Sequence, residues 1–138
     1  MRQQFHTVGL QTRGARLYEF TRDAEAFVRA SGIVDGLLTC FIRHTSASLL
    51  IQENADPNVQ RDLIDAFDRF APQDSDYVHD DEGPDDMPSH IKSALTQVSI
   101  GVPVRGRHMV LGTWQGVYLF EHRTAPHGRE VMLHLIGE

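Results

Sequence analysis

Short segments with alternating or continuous apolar residues recur through the first third of the chain. Phe5 to Leu10 and Leu17 to Phe20 show partial alternation, which predicts two strands. Gly36 to Ile42 is a nearly continuous apolar run with β-branched and aromatic members, so it predicts a buried strand. Leu49 to Ile51 is expected to resume the sheet.

Three segments predict helices. The first runs from Asp23 to Gly32, since Thr21 or Asp23 can cap its start and glycine suits its end. The clearest opens at Asp56-Pro57 and ends at Pro72. Its apolar face is formed by Val59, Leu63, Ile64, Phe67 and Phe70. A shorter helix starts at Met87-Pro88-Ser89 and continues to Val98.

Further strands are expected in the last third of the chain, with glycines as turns between them. They are Ile100 to Val104, His108 to Leu111, Val117 to Phe120 and Glu130 to Ile136. The last one is apolar on both faces, so we expect it to be covered on both sides. About seven or eight strands and about three helices, with the helices between groups of strands, predict an α+β fold with a largely antiparallel sheet or sandwich.

Size and charge narrow the class of protein. A chain of 138 residues without an internal linker is one domain, 1–138. Its net charge of −6 argues against nucleic acid and anionic membranes as partners. No apolar run has the length of a membrane span, and Cys40, the only cysteine, excludes an intramolecular disulfide framework. We therefore expect a soluble cytoplasmic protein.

Residues 73–90 carry seven acids and little apolar content, which predicts a long surface loop. The charge run is either a solvated surface or a cation site, since a bound cation would relieve the repulsion. It lacks the pattern of an EF-hand.

Eight histidines are many for this length, and three of them, His44, His79 and His90, lie at or beside predicted element ends. Imidazole with neighbouring carboxylates suits a first-row metal. Their spacing matches no short zinc motif, so each histidine alone also fits an ordinary structural role. Together with the acidic loop they predict a divalent-metal site, for Mg or Zn.

Hydroxyl and basic residues cluster at two further places. His44 and Ser46 share a face at the end of a strand, which favours ligand binding over a serine nucleophile. Lys92, the only lysine, and Ser93 lie near a predicted helix start, where a phosphate can bind. A solvated surface lysine is the alternative for Lys92.

Two turns carry other candidates. Asp56 suits a helix cap, whereas Asn54, which capping explains less well, could orient a ligand or a catalytic group. Trp114 and Gln115 lie between glycines, where the indole fits either the core, an interface or a stacking platform for a planar ring.

Three long runs, HTSASLLIQENADPNVQRDL, HDDEGPDDMPSHIKSAL and GTWQGVYLFEHR, resemble the YjbQ-like family in their order and spacing. That family is described as secondary thiamine-phosphate synthase. The resemblance spans Phe5 to Glu138 and implies a β-sandwich assembled as a homotrimer. After Glu121 the chain departs from many relatives, which leaves the roles of His122, His127 and Arg129 open.

The resemblance also implies a pocket built from the three runs. Residues expected to be catalytic are His44, Asn54, Asp56, Glu82 and Glu121. Those expected to bind substrate or phosphate are Ser46, Lys92, Ser93, Trp114 and Gln115. Metal ligation is expected of His44, His79 and His90.

Three functions fit these residues. The leading hypothesis is a transferase that joins an aminopyrimidine diphosphate to a thiazole phosphate and releases pyrophosphate, whose charge a metal, lysine or histidine would neutralise. The second is a metal-dependent hydrolase or lyase acting on another phosphorylated small molecule. The third is a trimer that binds a ligand or metal without catalysis.

Overall fold

Eight strands and three helices follow one another along the 138 residues, all of which are described by the computed structural model. The strands are β1 (Arg2–Thr12), β2 (Arg16–Glu19), β3 (Gly36–Ile42), β4 (Ala47–Glu53), β5 (Ser99–Arg105), β6 (His108–Met109), β7 (Gln115–Glu121) and β8 (His127–Gly137). The helices are α1 (Thr21–Ser31), α2 (Pro57–Phe70) and α3 (Asp86–Leu95). The α+β class is therefore confirmed. None of the helices combines the length and apolar character that crossing a membrane requires.

The strands form two antiparallel sheets. The larger sheet has the order β1-β8-β3-β5-β6, and the smaller one has the order β2-β7-β4. Their inner faces enclose the main hydrophobic core, to which Leu38, Leu49, Leu119 and Leu133 contribute fully buried side chains. Val28 of α1 closes the same core, so the arrangement is a sandwich with a helix packed against it.

The sequence predicted the start of α2 correctly and the bounds of α3 less accurately. Asp56 caps α2 through a bond from the backbone N–H of Asn58 to its carboxylate. α3 begins at Asp86 rather than Met87, and it ends at Leu95 rather than Val98. The earlier end has a tertiary cause, because Gln97 forms a bridge with Leu49 and draws the chain into extended backbone.

The smaller sheet is covered on its outer side by α2 and α3. Ile64 and Phe67 of α2 pack on Leu17, Tyr118 and Phe120. Small polar side chains of α3 face β4, and Ser93 Oγ donates to the carbonyl oxygen of Ala47 at 3.3 Å. This packing holds α3 and the preceding acidic loop at the end of the smaller sheet where β4 begins and β7 ends.

The larger sheet has one face that no element of this chain covers. We call this the open face, with its apolar side chains Phe5, Leu37, Phe41, Met132 and Ile136. Phe5 remains 65% exposed and Leu37 remains 46% exposed. The expectation that the last strand is covered on both sides was therefore wrong for the single chain, since Met132 and Ile136 are only half-buried.

Candidate metal centre

Two histidines and two carboxylates converge where the acidic loop enters α3. One ligand atom from each of His79, Glu82, Asp86 and His90 lies within 4.8 Å of every other. Asp86 and His90 are four residues apart in α3, which puts both side chains on one face of the helix. His79 and Glu82 come from the loop, so the cluster joins α3 to the loop that precedes it.

Asp86 Oδ2 is the centre of this cluster. It lies 2.8 Å from His79 Nε2 and 3.1 Å from His90 Nε2, while His79 Nε2 also lies 3.0 Å from Glu82 Oε2. The hydrogen bond to Asp86, followed by that to Glu82, raises the pKa of His79 above its ordinary value. Burial alone would raise the pKa of Asp86, but hydrogen bonding to His79 and the charge of His90 contribute to holding it below its usual range.

The orientation of His90 is fixed by a backbone group. Its Nδ1 lies 3.0 Å from the carbonyl oxygen of Thr45, which can only accept a hydrogen bond, so Nδ1 carries a proton. In the neutral ring Nε2 is then a bare lone pair, and it faces the carboxylate of Asp86. His90 Nε2 and Asp86 Oδ2 are then two acceptors 3.1 Å apart, and such a pair requires a cation between them, either a proton or a metal ion.

A guanidinium supports the other side of Asp86. Arg123 Nη1 donates to Asp86 Oδ1 at 2.9 Å, and Arg123 Nε donates to Asp85 Oδ2 at 3.0 Å. Asp86 thus divides its two oxygens between the arginine and the histidines. Such support of a ligating carboxylate is usual around metal ions in proteins.

A second polar cluster is buried at the same end of the sandwich. Glu121 is fully buried, and both of its oxygens accept from Arg129, at 2.8 and 2.6 Å. Thr12 Oγ1 donates to the same carboxylate at 2.6 Å. Burial would raise the pKa of Glu121, but Arg129 and Thr12 lower it, so the carboxylate is ionised. Arg129 also donates to Ser46 Oγ at 2.9 Å.

His44 lies beside this second cluster rather than among the four converging residues. Its Nδ1 is 3.4 Å from Arg129 Nη1, and its Nε2 is 3.3 Å from the backbone nitrogen of Glu130. Burial and then the charge of Arg129 lower the pKa of His44. The neutral imidazole lines a surface depression of about 300 Å³ together with Arg43 and Glu130.

Consecutive residues link the two clusters. The carbonyl oxygen of Thr45 contacts His90 of the first cluster, and the preceding residue, His44, lies beside the second.

The side chains expected to seat a phosphate are engaged within the chain. Lys92 is 7% exposed, and its Nζ donates to Asp68 Oδ1 at 2.6 Å. Ser93 donates to a backbone carbonyl of β4. An incoming phosphate would have to replace these contacts.

Four further predicted site residues lie at the opposite end of the smaller sheet. The pairing of β4 with β7 runs from Ala47 with Glu121 to Glu53 with Gln115. At about 3.3 Å per residue this separates the two ends by about 20 Å. The residues at the far end are Asn54, Asp56, Trp114 and Gln115.

At this far end, Asn54 and Gln115 stabilise the turns through hydrogen bonds with the backbone. Asn54 N donates to the carbonyl oxygen of Trp114 at 2.9 Å, and Gln115 Oε1 accepts from Gly112 N at 2.8 Å. Trp114 is 63% exposed. Within one chain these side chains do not meet the four converging residues.

Sequence reasoning left Asp86 and Arg123 out of the site. The spacing of Asp86 and His90, four residues apart on a helix, could have indicated the first. No sequence pattern indicated Arg123, because it lies just after β7 and meets the acidic loop only when the chain has folded.

The whole chain matches known proteins. The family model described as UPF0047 protein YjbQ-like matches residues 6–138. The chain belongs to this YjbQ-like family. A UPF0047 protein of Synechocystis is 50% identical over 138 residues, covering 99% of this chain and 94% of the relative. The YjbQ protein of Salmonella typhimurium is 48% identical over 103 residues, covering 75% of each chain.

Solved structures carry the same fold. A YjbQ/UPF0047 family protein of Clostridium acetobutylicum superposes with a TM-score of 0.89 at 32% identity, covering 95% of this chain and 99% of that one. A protein of Sulfolobus solfataricus, described as YbjQ-like and of unknown function, has a TM-score of 0.87 at 22% identity, covering 99% of this chain and 100% of that one. The second likeness concerns the fold alone.

Proposed function

We propose that this protein is a divalent-metal-dependent enzyme whose metal ligands are His79, Glu82, Asp86 and His90. The observation that carries the proposal is the orientation of His90, whose Nδ1 donates to the Thr45 carbonyl while its Nε2 faces a carboxylate. A metal-bound histidine typically has this arrangement, with its second nitrogen donating to a backbone carbonyl or carboxylate.

The donor set favours zinc over magnesium. Two imidazoles with two carboxylates match the nitrogen and oxygen ligands of zinc, whereas magnesium prefers oxygen donors and bound water. Histidine and carboxylate ligands bind a metal ion in their deprotonated forms, so metal affinity should rise with pH. We therefore propose zinc rather than magnesium as the divalent metal. His44, which was expected to be a ligand, is not among the four proposed ligands.

The chain's own residues would divide the remaining work. When bound, the metal would polarise a substrate oxygen and neutralise the charge of a departing phosphate. We assign the role of proton acceptor to His44, a neutral imidazole at the edge of a depression, which would have to release the N–H of Glu130 from its Nε2 to do so. Arg129, which is held by the buried Glu121, donates to the carbonyl oxygen and the Oγ of Ser46 and so would position the segment that carries His44 and Ser46.

We propose a phosphorylated small molecule as the substrate, and thiamine-phosphate formation as the first reaction to test. The metal and His44 support this chemistry. The engagement of Lys92 by Asp68 and the distance of Trp114 do not favour it within one chain. Hydrolysis or elimination on another phosphorylated metabolite needs neither residue.

The test compares turnover by metal-free and zinc-loaded protein, first with the thiamine precursors and then with a panel of phosphorylated metabolites. His44→Ala, His90→Ala and His108→Ala are assayed beside the unaltered chain. His108 is the matched control, because it also pairs with a carboxylate, Glu25 at 2.7 Å, but lies away from the cluster.

We expect zinc-dependent turnover that His44→Ala and His90→Ala both abolish and His108→Ala retains. Equal rates in all variants would mean background or contamination and would contradict the proposal. Tight zinc binding without turnover of any substrate would favour the non-catalytic binding protein.

We also propose that the protein self-associates as a homotrimer through the open face. The support is that a sheet face bearing Phe5, Leu37 and Phe41 is left without cover by the chain itself. Exposed contiguous apolar surface of this kind is typical of interfaces.

A further inference from the structure

The segment after β7 holds the metal-binding loop through one arginine. Arg123 makes three side-chain bonds, to Asp85 Oδ2 at 3.0 Å, to Asp86 Oδ1 at 2.9 Å and to the carbonyl oxygen of Glu82 at 3.1 Å. Its side chain is 21% exposed; the bonds to Asp85 and Asp86 are partly buried, whereas the bond to Glu82 is exposed to solvent. Every nitrogen of the guanidinium therefore has a partner in residues 82–86.

The backbone of Arg123 is bonded to a buried carboxylate of the sandwich. Its backbone nitrogen lies 3.3 Å from Glu121 Oε2, the same carboxylate that Arg129 holds in the core. The backbone of Arg123 is thus tied to the sandwich, while its guanidinium contacts the loop.

We propose that Arg123 is the positioning residue of the metal centre, which aims Oδ2 of Asp86 at the metal and holds Glu82 beside it. The inference rests on the proposed metal centre. Arg123 occupies Asp86 Oδ1, so only Oδ2 is free to meet the histidines. It also fixes the backbone of Glu82, whose side chain is the most exposed carboxylate of the cluster.

The shape of the guanidinium is what this role requires. Its planar fork reaches three acceptors in fixed directions, whereas a lysine ammonium is a compact charge that cannot hold all three. Arg123→Lys should therefore keep the charge and lose the geometry. Changes to residues that support metal ligands typically reduce metal affinity about 10-fold to 100-fold.

The experiment measures zinc affinity by competition with a chelator for the unaltered chain and for Arg123→Lys, Arg123→Gln, His90→Ala and Arg2→Gln. Arg2 is the matched control, because it also donates to backbone carbonyls, of Ser31 and Gly32, but far from the loop. Each protein is also loaded with cobalt, whose visible spectrum reports ligand number and geometry. Thermal melts of the metal-free proteins report stability.

We expect Arg123→Lys to bind zinc about 10-fold to 100-fold more weakly, with an altered cobalt spectrum and a melting temperature close to that of the unaltered chain. Unchanged affinity and spectrum in Arg123→Lys would overturn the inference. So would a loss of affinity that tracks the loss of thermal stability with an unchanged cobalt spectrum. If Arg123→Gln does not fold, Arg123→Lys decides the matter.

The same measurements separate this inference from the proposed function. If the unaltered chain binds zinc no more tightly than His90→Ala, the metal centre itself is wrong. If it binds zinc and His90→Ala does not, while Arg123→Lys equals the unaltered chain, only the role of Arg123 is wrong.

Discussion

Replacing His122 with glutamine should remove much of the pH dependence of folding between pH 5 and pH 7. The imidazole is buried beneath α3, with its Nε2 2.9 Å from Ser48 Oγ and its Nδ1 without a hydrogen-bond partner. Burial, and after it the charge of Lys92, lower the pKa of His122 to about 3. The folded protein thus keeps this ring neutral.

The size of the effect follows from the difference in proton binding. In the unfolded chain a histidine has a pKa of about 6.5, so below that pH the unfolded state carries a proton that the folded state lacks. The free energy of unfolding contributed by His122 is fully present above pH 6.5 and falls as the pH drops, by up to about 1.4 kcal/mol per unit. Between pH 7 and pH 5 the loss is about 2 kcal/mol.

Urea unfolding followed by circular dichroism at pH 5, 6, 7 and 8 measures this directly. His122→Gln can still form a hydrogen bond with Ser48 but does not titrate, so we expect the stability difference from the unaltered chain to shrink by about 2 kcal/mol from pH 7 to pH 5. A difference that stays constant over this range would refute the reasoning. An NMR signal of the His122 ring that titrates near pH 6.5 would refute it as well.

Three further outcomes are expected. Arg129→Met leaves the carboxylate of Glu121 buried without its partner and should lower the free energy of unfolding in urea by roughly 3–5 kcal/mol; the exposed control Arg29→Met should change it by less than about 0.5 kcal/mol. Asp56→Ala removes the cap of α2 and should cost about 1 kcal/mol in the same assay with zinc affinity unchanged, whereas weakened zinc binding would contradict a capping role. Light scattering should give three times the 15.6 kDa of one chain, with Leu37→Asp on the open face producing monomers; a monomeric unaltered chain would contradict the proposed trimer.

The sequence predicted best those elements whose signals are local. Asp56-Pro57 predicted the start of α2 to the residue, and its end at Phe70 lies just before the predicted stop at Pro72, because capping and amphipathic periodicity act within a few turns. The end of α3 was missed because the pairing of Gln97 with Leu49 decides it from outside the helix.

The candidate site was predicted only in part, for a similar reason. The structure brings together His79 and His90, which are eleven residues apart in the chain, whereas His44, which was grouped with them from the sequence, lies beside the second cluster. The resemblance to the YjbQ-like family also implied that Trp114 belongs to the same pocket, yet the antiparallel register of β4 with β7 puts it at the opposite end of the sheet. Register is set by long-range packing, and short motifs do not contain it.

The most direct test of the metal centre is a crystal structure of the zinc-loaded protein with anomalous diffraction recorded at the zinc edge. We expect one strong peak about 2.0–2.2 Å from Nε2 of His79 and of His90, with oxygens of Asp86 and Glu82 completing the ligands. A map without a peak among these four residues, or with zinc only on exposed histidines such as His108, would contradict the account.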